Sequence, residues 1–516
     1  MQTLMHSPTS RRDFLKLLSL LPLLTLKSSF PKLGFSPLEQ QELPNFLILI
    51  FDTFSAPHMS LHGYPRSTTP NFSRFAQRAT VFHRHYASGN FTMPGTASLL
   101  TGVYPWSHRG LHLFGMVEES CDDRNIFSAL AEDYYISTYT HNPIVQGLFD
   151  QFERHLDQTT PMGDLAILSE SLSEELFPHD FTLSFWGERL LRGSGAESPA
   201  SLFLSLIGKD FHSFTPEELR EQYKAQFPRG LPNNTFGMFF ILEAAMAWIQ
   251  EQALNLPRPF LGYYHLFPPH EPYQTRREFV DMFDDSWRPQ PKPVQAFPQN
   301  RSEVYLAEKR RHYDEYIAYV DSEFGHLYDN LEASGVLENT YLIVSSDHGQ
   351  LFERRIHGHV TPTLYEPILR IPLLIAKPGQ KEREDIYAPT SSVDLLPTLL
   401  HLAGRPIPEW SEGAVLPGLG GVSMDERSIY ALEAKENPRL TPLEIGTLAW
   451  IQGRYKITRY FGYPGREDDL ELYDLLNDPE EREDLSASNE KIVSGLRGEI
   501  IAKLDEVNRQ FSQRES

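Results

Sequence analysis

The chain has 516 residues, a formal net charge of −22, and 40% hydrophobic and 12% aromatic residues. That length and balance fit one large globular domain with a smaller one and exclude a fibrous or disordered chain. The acidic surplus argues against nucleic acid as a partner, which requires a basic footprint, yet it admits a small anionic substrate if a bound cation reverses the local field.

In chain order, residues 1–35 come first. "SPTSRRDFLKLLSLLPLLTLKSSF" carries Arg11 and Arg12, then Phe14, Leu15 and Lys16, then an apolar run from Leu17 to Leu26. That run is short for a bilayer span and suits a signal segment. Its S-R-R-x-F-L-K order resembles a twin-arginine export signal, so the twin-arginine export machinery is an expected partner. The protein is expected to be exported, periplasmic or extracytoplasmic, and anchored to the membrane if the signal is retained, because no clean small-residue cleavage site follows. Cys121 is the only cysteine, so no intrachain disulfide can form.

"PNFLILIFDTF" then reads as a central strand buried on both faces and ending in Asp52. "TTPNFSRFAQRA", with Pro70 near its start, reads as a helix. So do "FGMFFILEAAMAWIQEQAL" and "YDEYIAYVDSEFGHLYDNLEASG", the last with Gly335 as its C-cap. "PFLGYYHLFPPHEPY", "ENTYLIVSSDHG" and "RIPLLIAKPG" are further strand-then-loop segments. Strands alternating with helices predict an α/β domain over 45–405 with a mainly parallel sheet, whose ligands bind beyond the carboxyl ends of its strands. Residues 157–234 are less periodic and read as an insertion able to cover the site. From 406 to 516, short alternating runs such as "GTLAWIQ" and "YKITRYF", then a polar helix, predict a small antiparallel subdomain.

Asp52 and the pair Asp347-His348 fall at two such strand ends. Two carboxylates and an imidazole form a ligand set for one divalent cation, with calcium, magnesium, manganese and zinc all open. Thr92 in "ASGNFTMPGTASLLTGVYP", just ahead of a helix start, would complete the set with its hydroxyl. A cation beside that oxygen lowers its pKa and makes a nucleophile, and the helix N-terminus favours the anion under attack. Each residue alone also has a plainer reading: Asp52 or Thr92 as a cap, His270 as a loop residue bonded to carbonyls. His357 and His359 could be solvated, and His58, His62, His83 and His85 are expected to be.

Taken together, "LILIFDT", "GYPRSTTPNFSRFA", "TMPGTASLLTGVYP", "PHEPY", "TYLIVSSDHG", "GHVTPTLYEPILRIPLLI", "SSVDLLPTLLHLAG" and "LYDLLNDPEEREDL" resemble the sulfatase family of the alkaline phosphatase superfamily. The likeness runs in order from about Asn45 to Asp484. It implies a doubly wound α/β domain with a small C-terminal antiparallel sheet and helix. It also implies that Asp52, Thr92, Asp347 and His348 hold the metal, with Thr92 at the nucleophile position. His270 and His359 would stand at the leaving oxygen, and Thr53, Thr96 and His141 would touch the substrate.

Two departures qualify the resemblance. Family members carry C-x-P-x-R or S-x-P-x-R and mature the first residue to formylglycine, whereas this chain has Thr92-x-Pro94-x-Thr96. Asp52-Thr53 replaces the family's frequent pair of aspartates. The resemblance therefore points to an unmodified threonine, as in lipoteichoic acid synthase and the lipid A phosphoethanolamine transferases, and to one metal. The expected activity is hydrolysis or transfer on a small-molecule, lipid or glycan ester, phosphodiester or phosphonate ahead of sulfate. A sulfuric ester hydrolase without formylglycine and a catalytically silent anion-binding relative are the alternatives.

Overall fold

The computed structural model describes residues 42–169, 215–295, 297–488 and 490–512. The twin-arginine-type segment and most of the 157–234 insertion lie outside the described residues.

An eight-stranded sheet carries the fold. Its strands are β1 (Asn45–Phe51), β2 (Thr80–Phe82), β3 (Tyr135–Thr140), β4 (Gln158–Thr159), β5 (Phe260–Leu266), β6 (Thr340–Ser345), β7 (Leu373–Ala376) and β8 (Glu384–Ile386). The spatial order is β8-β2-β7-β6-β1-β5-β3-β4. β1 runs parallel to β5 and β6, while β7 is antiparallel to both its neighbours. The mixed, mainly parallel sheet explains why β1 is an unbroken apolar run: helices cover both its faces. Leu47, Leu49 and Phe51 pack under α4 (Leu242–Asn255) and α5 (Glu303–Ser334). Phe46, Ile48 and Ile50 face α2 (Thr92–Thr101), α3 (Pro143–Gln151) and α6 (Leu395–Leu402). The helix expected at Pro70 is α1 (Pro70–Phe75), with the proline in its first turn. Gly335 ends α5 with φ 76°, a left-handed conformation that favours glycine.

The C-terminal part is an antiparallel meander, β9 (Ile429–Glu433), β10 (Gly446–Gln452), β11 (Tyr455–Tyr463) and β12 (Arg466–Asp474). Helix α7 (Glu490–Ser512) closes it, burying Ile500, Leu504 and Val507 against Leu448, Trp450 and Ile457.

The structure corrects three local readings. The helix expected from "FGMFFILEAAM" begins only at Leu242. Met238–Phe240 is instead a strand, because it finds an antiparallel partner in Ala166–Ser169. The helix expected to follow Thr92 includes Thr92 as its first residue. Finally, His58 and His85 are buried rather than solvated: Asp314 Oδ1 lies 2.8 Å from His58 Nδ1, and Thr390 Oγ1 lies 2.9 Å from His85 Nδ1. Polar partners inside the fold replace the water those rings would lose.

Candidate active site at the strand ends

The parallel register aligns the candidates before any side chain is considered. Ile50 pairs with both His265 and Ser345, so the chain two residues on places Asp52 and Asp347 on one level beyond the sheet. Asp52 is tied there by its N–H to the Leu266 carbonyl at 2.9 Å. Helix α2 brings Thr92 against the same spot. Gly95 lets it approach, since a Cβ there would collide with the Asp347 backbone carbonyl. Asn90 fixes the loop before α2 by donating to the carbonyls of His359 and Thr361 at 2.8 and 2.7 Å. No side chain caps this helix, so its first-turn N–H groups can serve an anion.

The carboxylates converge on two imidazoles. His348 Nε2 lies 3.6 Å from Asp52 Oδ1 and 3.4 Å from Asp347 Oδ2. His265 Nε2 lies 3.5 Å from Asp52 Oδ2 and 3.8 Å from Asp347 Oδ2. Thr92 Oγ1 stands 3.5 Å from His348 Nε2. His348 Nδ1 donates to the Gly349 carbonyl at 3.0 Å, which leaves the Nε2 lone pair facing the carboxylates and Thr92. All five residues are buried.

Electrostatically the two carboxylates are unequal. Burial would raise the Asp52 carboxyl, but His265, His270 and His348 outweigh it and hold the group at about 2. Burial and the Asp52 charge push Asp347 well above the ordinary carboxylate range. Burial lowers His348, against the pull of Asp52. The chain's own groups therefore cannot hold both carboxylates charged at ease. Asp52 Oδ1 and both nitrogens of His265 are buried without a hydrogen-bond partner, an arrangement expensive unless a ligand satisfies them. Asp52, His265 and Asp347 each offer a ligand atom within 4.8 Å of the others. Oxygen and imidazole donors at that spacing fit a divalent cation.

A cavity of about 310 Å³ opens over Thr92 and is lined by Asn142, His270, His357 and His359 among others. His270 is half-buried, and its Nδ1 donates to the Glu271 carbonyl at 2.7 Å. His359 gives its Nδ1 to Gln350 Oε1 at 2.6 Å, and its ring centre lies 4.4 Å from that of His348. Burial, then His348, His270 and His357, push His359 well below the usual imidazole range, so it is neutral near pH 7. Thr53, Thr96 and His141 are fully buried and do not line the cavity. Thr53 donates its N–H to Asp347 Oδ1 at 3.3 Å, and Thr96 Oγ1 lies 3.5 Å from Asp347 Oδ2. His141 stacks on Phe240, its Nδ1 3.4 Å from the Phe267 N–H.

Sequence reasoning missed His265 and Asn142. His265 is the one imidazole inside the β5 run "FLGYYHL", on the rung of Ile50, and that interruption of a buried apolar strand was the available signal. Asn142 follows His141 and caps α3 through the Ile144 N–H, a plain helix-start role. Its Nδ2 also donates to Asp52 Oδ2 at 2.7 Å, a contact between residues 90 positions apart that no local pattern announces.

Comparison with known proteins matches this architecture. The sulfatase family model fits residues 44–157 and 205–405, and the model of the C-terminal part of N-sulphoglucosamine sulphohydrolase fits 352–510. The chain is 25% identical over 480 residues to the choline-sulfatase of Rhizobium meliloti, covering 84% of this chain and 83% of that protein. It is 24% identical over 470 residues to the Delta 4,5-hexuronate-2-O-sulfatase of Bacteroides thetaiotaomicron, covering 87% and 85%. The phosphonate monoester hydrolase of Silicibacter pomeroyi superposes with a TM-score of 0.62 at 19% identity, covering 89% of this chain and 95% of that one.

Proposed function

The chain belongs to the sulfatase family, and from that premise we propose that it hydrolyses monoanionic tetrahedral esters, sulfate or phosphonate, with the unmodified Thr92 hydroxyl as nucleophile. The observation that carries this reading is the convergence of Thr92, Asp52, Asp347, His348 and His265 at the strand ends. Asp52, Asp347, His348 and His265 would hold one divalent cation, beside the Thr92 oxygen. Such an ion supplies Lewis-acid charge for a hydroxyl nucleophile and for the oxyanion.

The chain's own groups account for the remaining steps. The Thr92 oxygen gives its proton to the Nε2 lone pair of His359, in the same cavity, and bonds to sulfur or phosphorus as the bond to the alcohol oxygen breaks. The half-buried His270, whose Nδ1 is occupied by the Glu271 carbonyl, presents Nε2 to the cavity and gives the departing alcohol its proton. His359, neutral and with its Nδ1–H given to Gln350, has only the Nε2 lone pair to offer, so it serves as the base for Thr92 instead of donating to the leaving group. Water then cleaves the threonine ester, restoring the hydroxyl and releasing sulfate or phosphonate. Thr53 and Thr96 act through Asp347, and His141 supports the Phe267 backbone behind the cavity.

Among the described residues lining the cavity there is no lysine or arginine. A singly charged ester suits that field better than a phosphate monoester dianion, which calls for more fixed positive charge. Relatives named for sulfate esters and for phosphonate esters share this fold, so the preference for phosphorus read from the sequence is not retained. In this reading the twin-arginine-type segment directs export; changing Arg11 and Arg12 to Lys should trap the protein in the cytoplasm, and unchanged export would reject that role. The activity itself is tested by kcat/KM on aryl sulfate, phosphonate monoester and phosphate monoester, with intact-mass analysis for an adduct on the Thr92 peptide. Faster turnover of the phosphate monoester would overturn the charge argument, and turnover without any Thr92 adduct under burst conditions would overturn covalent catalysis.

A further inference from the structure

A second cavity, of about 420 Å³, lies between the Pro57–Pro65 segment, the loop around Trp287 and the Glu366–Arg370 turn. It shares no lining residue with the cavity over Thr92. Its charge runs against that of the protein. Five lysine and arginine side chains line it against three glutamates, in a chain of net charge −22.

Two of those cations are neutralised locally: Lys292 pairs with Glu353 at 2.8 Å and Arg482 with Glu480 at 2.7 Å. The remaining three are paired only at longer distance or bonded only to carbonyls. Arg310, on α5, has a side chain 8% exposed; it donates to the Phe352 carbonyl at 2.9 Å, stands 3.8 Å from Glu353, and its Nε has no hydrogen-bond partner. Arg370 Nε is likewise buried and unpartnered, with its nearest carboxylate, Glu366, 3.9 Å away and already facing the buried Lys456. Arg288 donates only to the carbonyls of Asp285 and Trp287. His62 adds a third buried, unpartnered nitrogen on the same wall.

Buried guanidinium donors without acceptors are expensive unless an anion completes them, and guanidinium is the group best matched to oxyanions. We infer that this cavity binds a free tetrahedral oxyanion, inorganic sulfate or phosphate, between Arg288, Arg310 and Arg370. Three guanidinium groups from three separate segments offer more donors than the two oxygens of a carboxylate can accept. The site is separate from the centre that holds Thr92, and it matches the chemistry of the ion that a sulfate esterase releases.

Equilibrium dialysis of the full-length protein against radiolabelled sulfate, with phosphate as competitor, tests this. The Arg288→Ala/Arg370→Ala double variant should bind about one equivalent less sulfate than wild type, with kcat/KM on a small ester changed by less than about twofold. Phosphate should displace that equivalent. Equal binding by wild type and double variant, or no binding by either, overturns the site. Arg288→Glu alone, at an exposed side chain that does not threaten folding, should weaken the same equivalent by about tenfold or more. Unchanged affinity in that variant overturns it as well.

Discussion

Asn142 donates its side-chain N–H to Asp52 Oδ2 at 2.7 Å, and this bond leaves Asp52 Oδ1 as the carboxylate oxygen without a partner. One amide therefore orients the carboxylate and caps α3 in the same residue. Asn142→Ala should retain the fold but lower kcat about tenfold to a hundredfold and weaken divalent-ion affinity by a similar factor, the usual effect of losing an outer hydrogen bond to a ligand. Metal titration followed by steady-state kinetics checks this. Unchanged affinity would mean that Asp52 needs no orienting partner.

Thr92→Ala should remove turnover by at least about a thousandfold, because no other hydroxyl occupies that place in the covalent route. Thr92→Ser should keep a measurable fraction of it. A purified Thr92→Ala protein that folds, judged by circular dichroism, and still turns over the ester at the wild-type rate would sink the nucleophile assignment.

His265→Ala tests the ligand that the sequence did not announce. With a bound ion, wild type should gain about 2.7 kcal/mol of stability at a hundredfold excess over Kd, and chelation should remove it. The variant should bind less metal by elemental analysis and show a smaller chelator-induced fall in Tm. An equal metal content in both proteins would place His265 outside the ion's ligands.

Gly95→Ala should destabilise the fold by about 1–3 kcal/mol, since the new methyl meets the Asp347 carbonyl and helix α2 must shift. Gly495, in α7, has nothing near the position of an added Cβ, so Gly495→Ala is the control and should be neutral or slightly stabilising. Thermal denaturation distinguishes them, and equal Tm values for the two variants would contradict the close approach.

Acid should unfold this protein through its buried neutral imidazoles. Burial holds His85, His108 and His141 at about 3, against 6.5 when unfolded. Between those values the unfolded chain binds protons that the folded chain refuses, so stability is full above about 6.5 and falls as the pH drops toward 3. Each ring contributes about 1.4 kcal/mol per pH unit across that window. His85→Gln should lower the pH slope of unfolding free energy by about one proton; an identical slope would show that the ring is already protonated in the fold.

The strands were legible because an apolar run such as "FLILIF" has few other places to go than a sheet covered on both faces. The carboxyl-end rule then singled out Asp52 and Asp347-His348 without coordinates. Thr92 could be named because its proline- and glycine-flanked hydroxyl precedes a helix start. His265 could not, because a polar residue inside a strand has the same local signature whether it fills a gap or faces a site. Asn142 and Gln350 were illegible for a related reason: their partners, Asp52 and His359, are fixed by strand order and loop course.

Sequence alone determined the secondary-structure rhythm, the family likeness and most residues able to ligate a cation, because those depend on composition and near-neighbour spacing. Tertiary structure alone decided which side chains meet. Parallel pairing of β1 with β5 and β6 sets His265 on the rung of Ile50 with Asp52 and Asp347 two residues beyond it, and the missing side chain of Gly95 lets α2 approach Asp347, with Thr92 3.5 Å from His348. Contacts across hundreds of residues are set by packing, which no short window of sequence encodes.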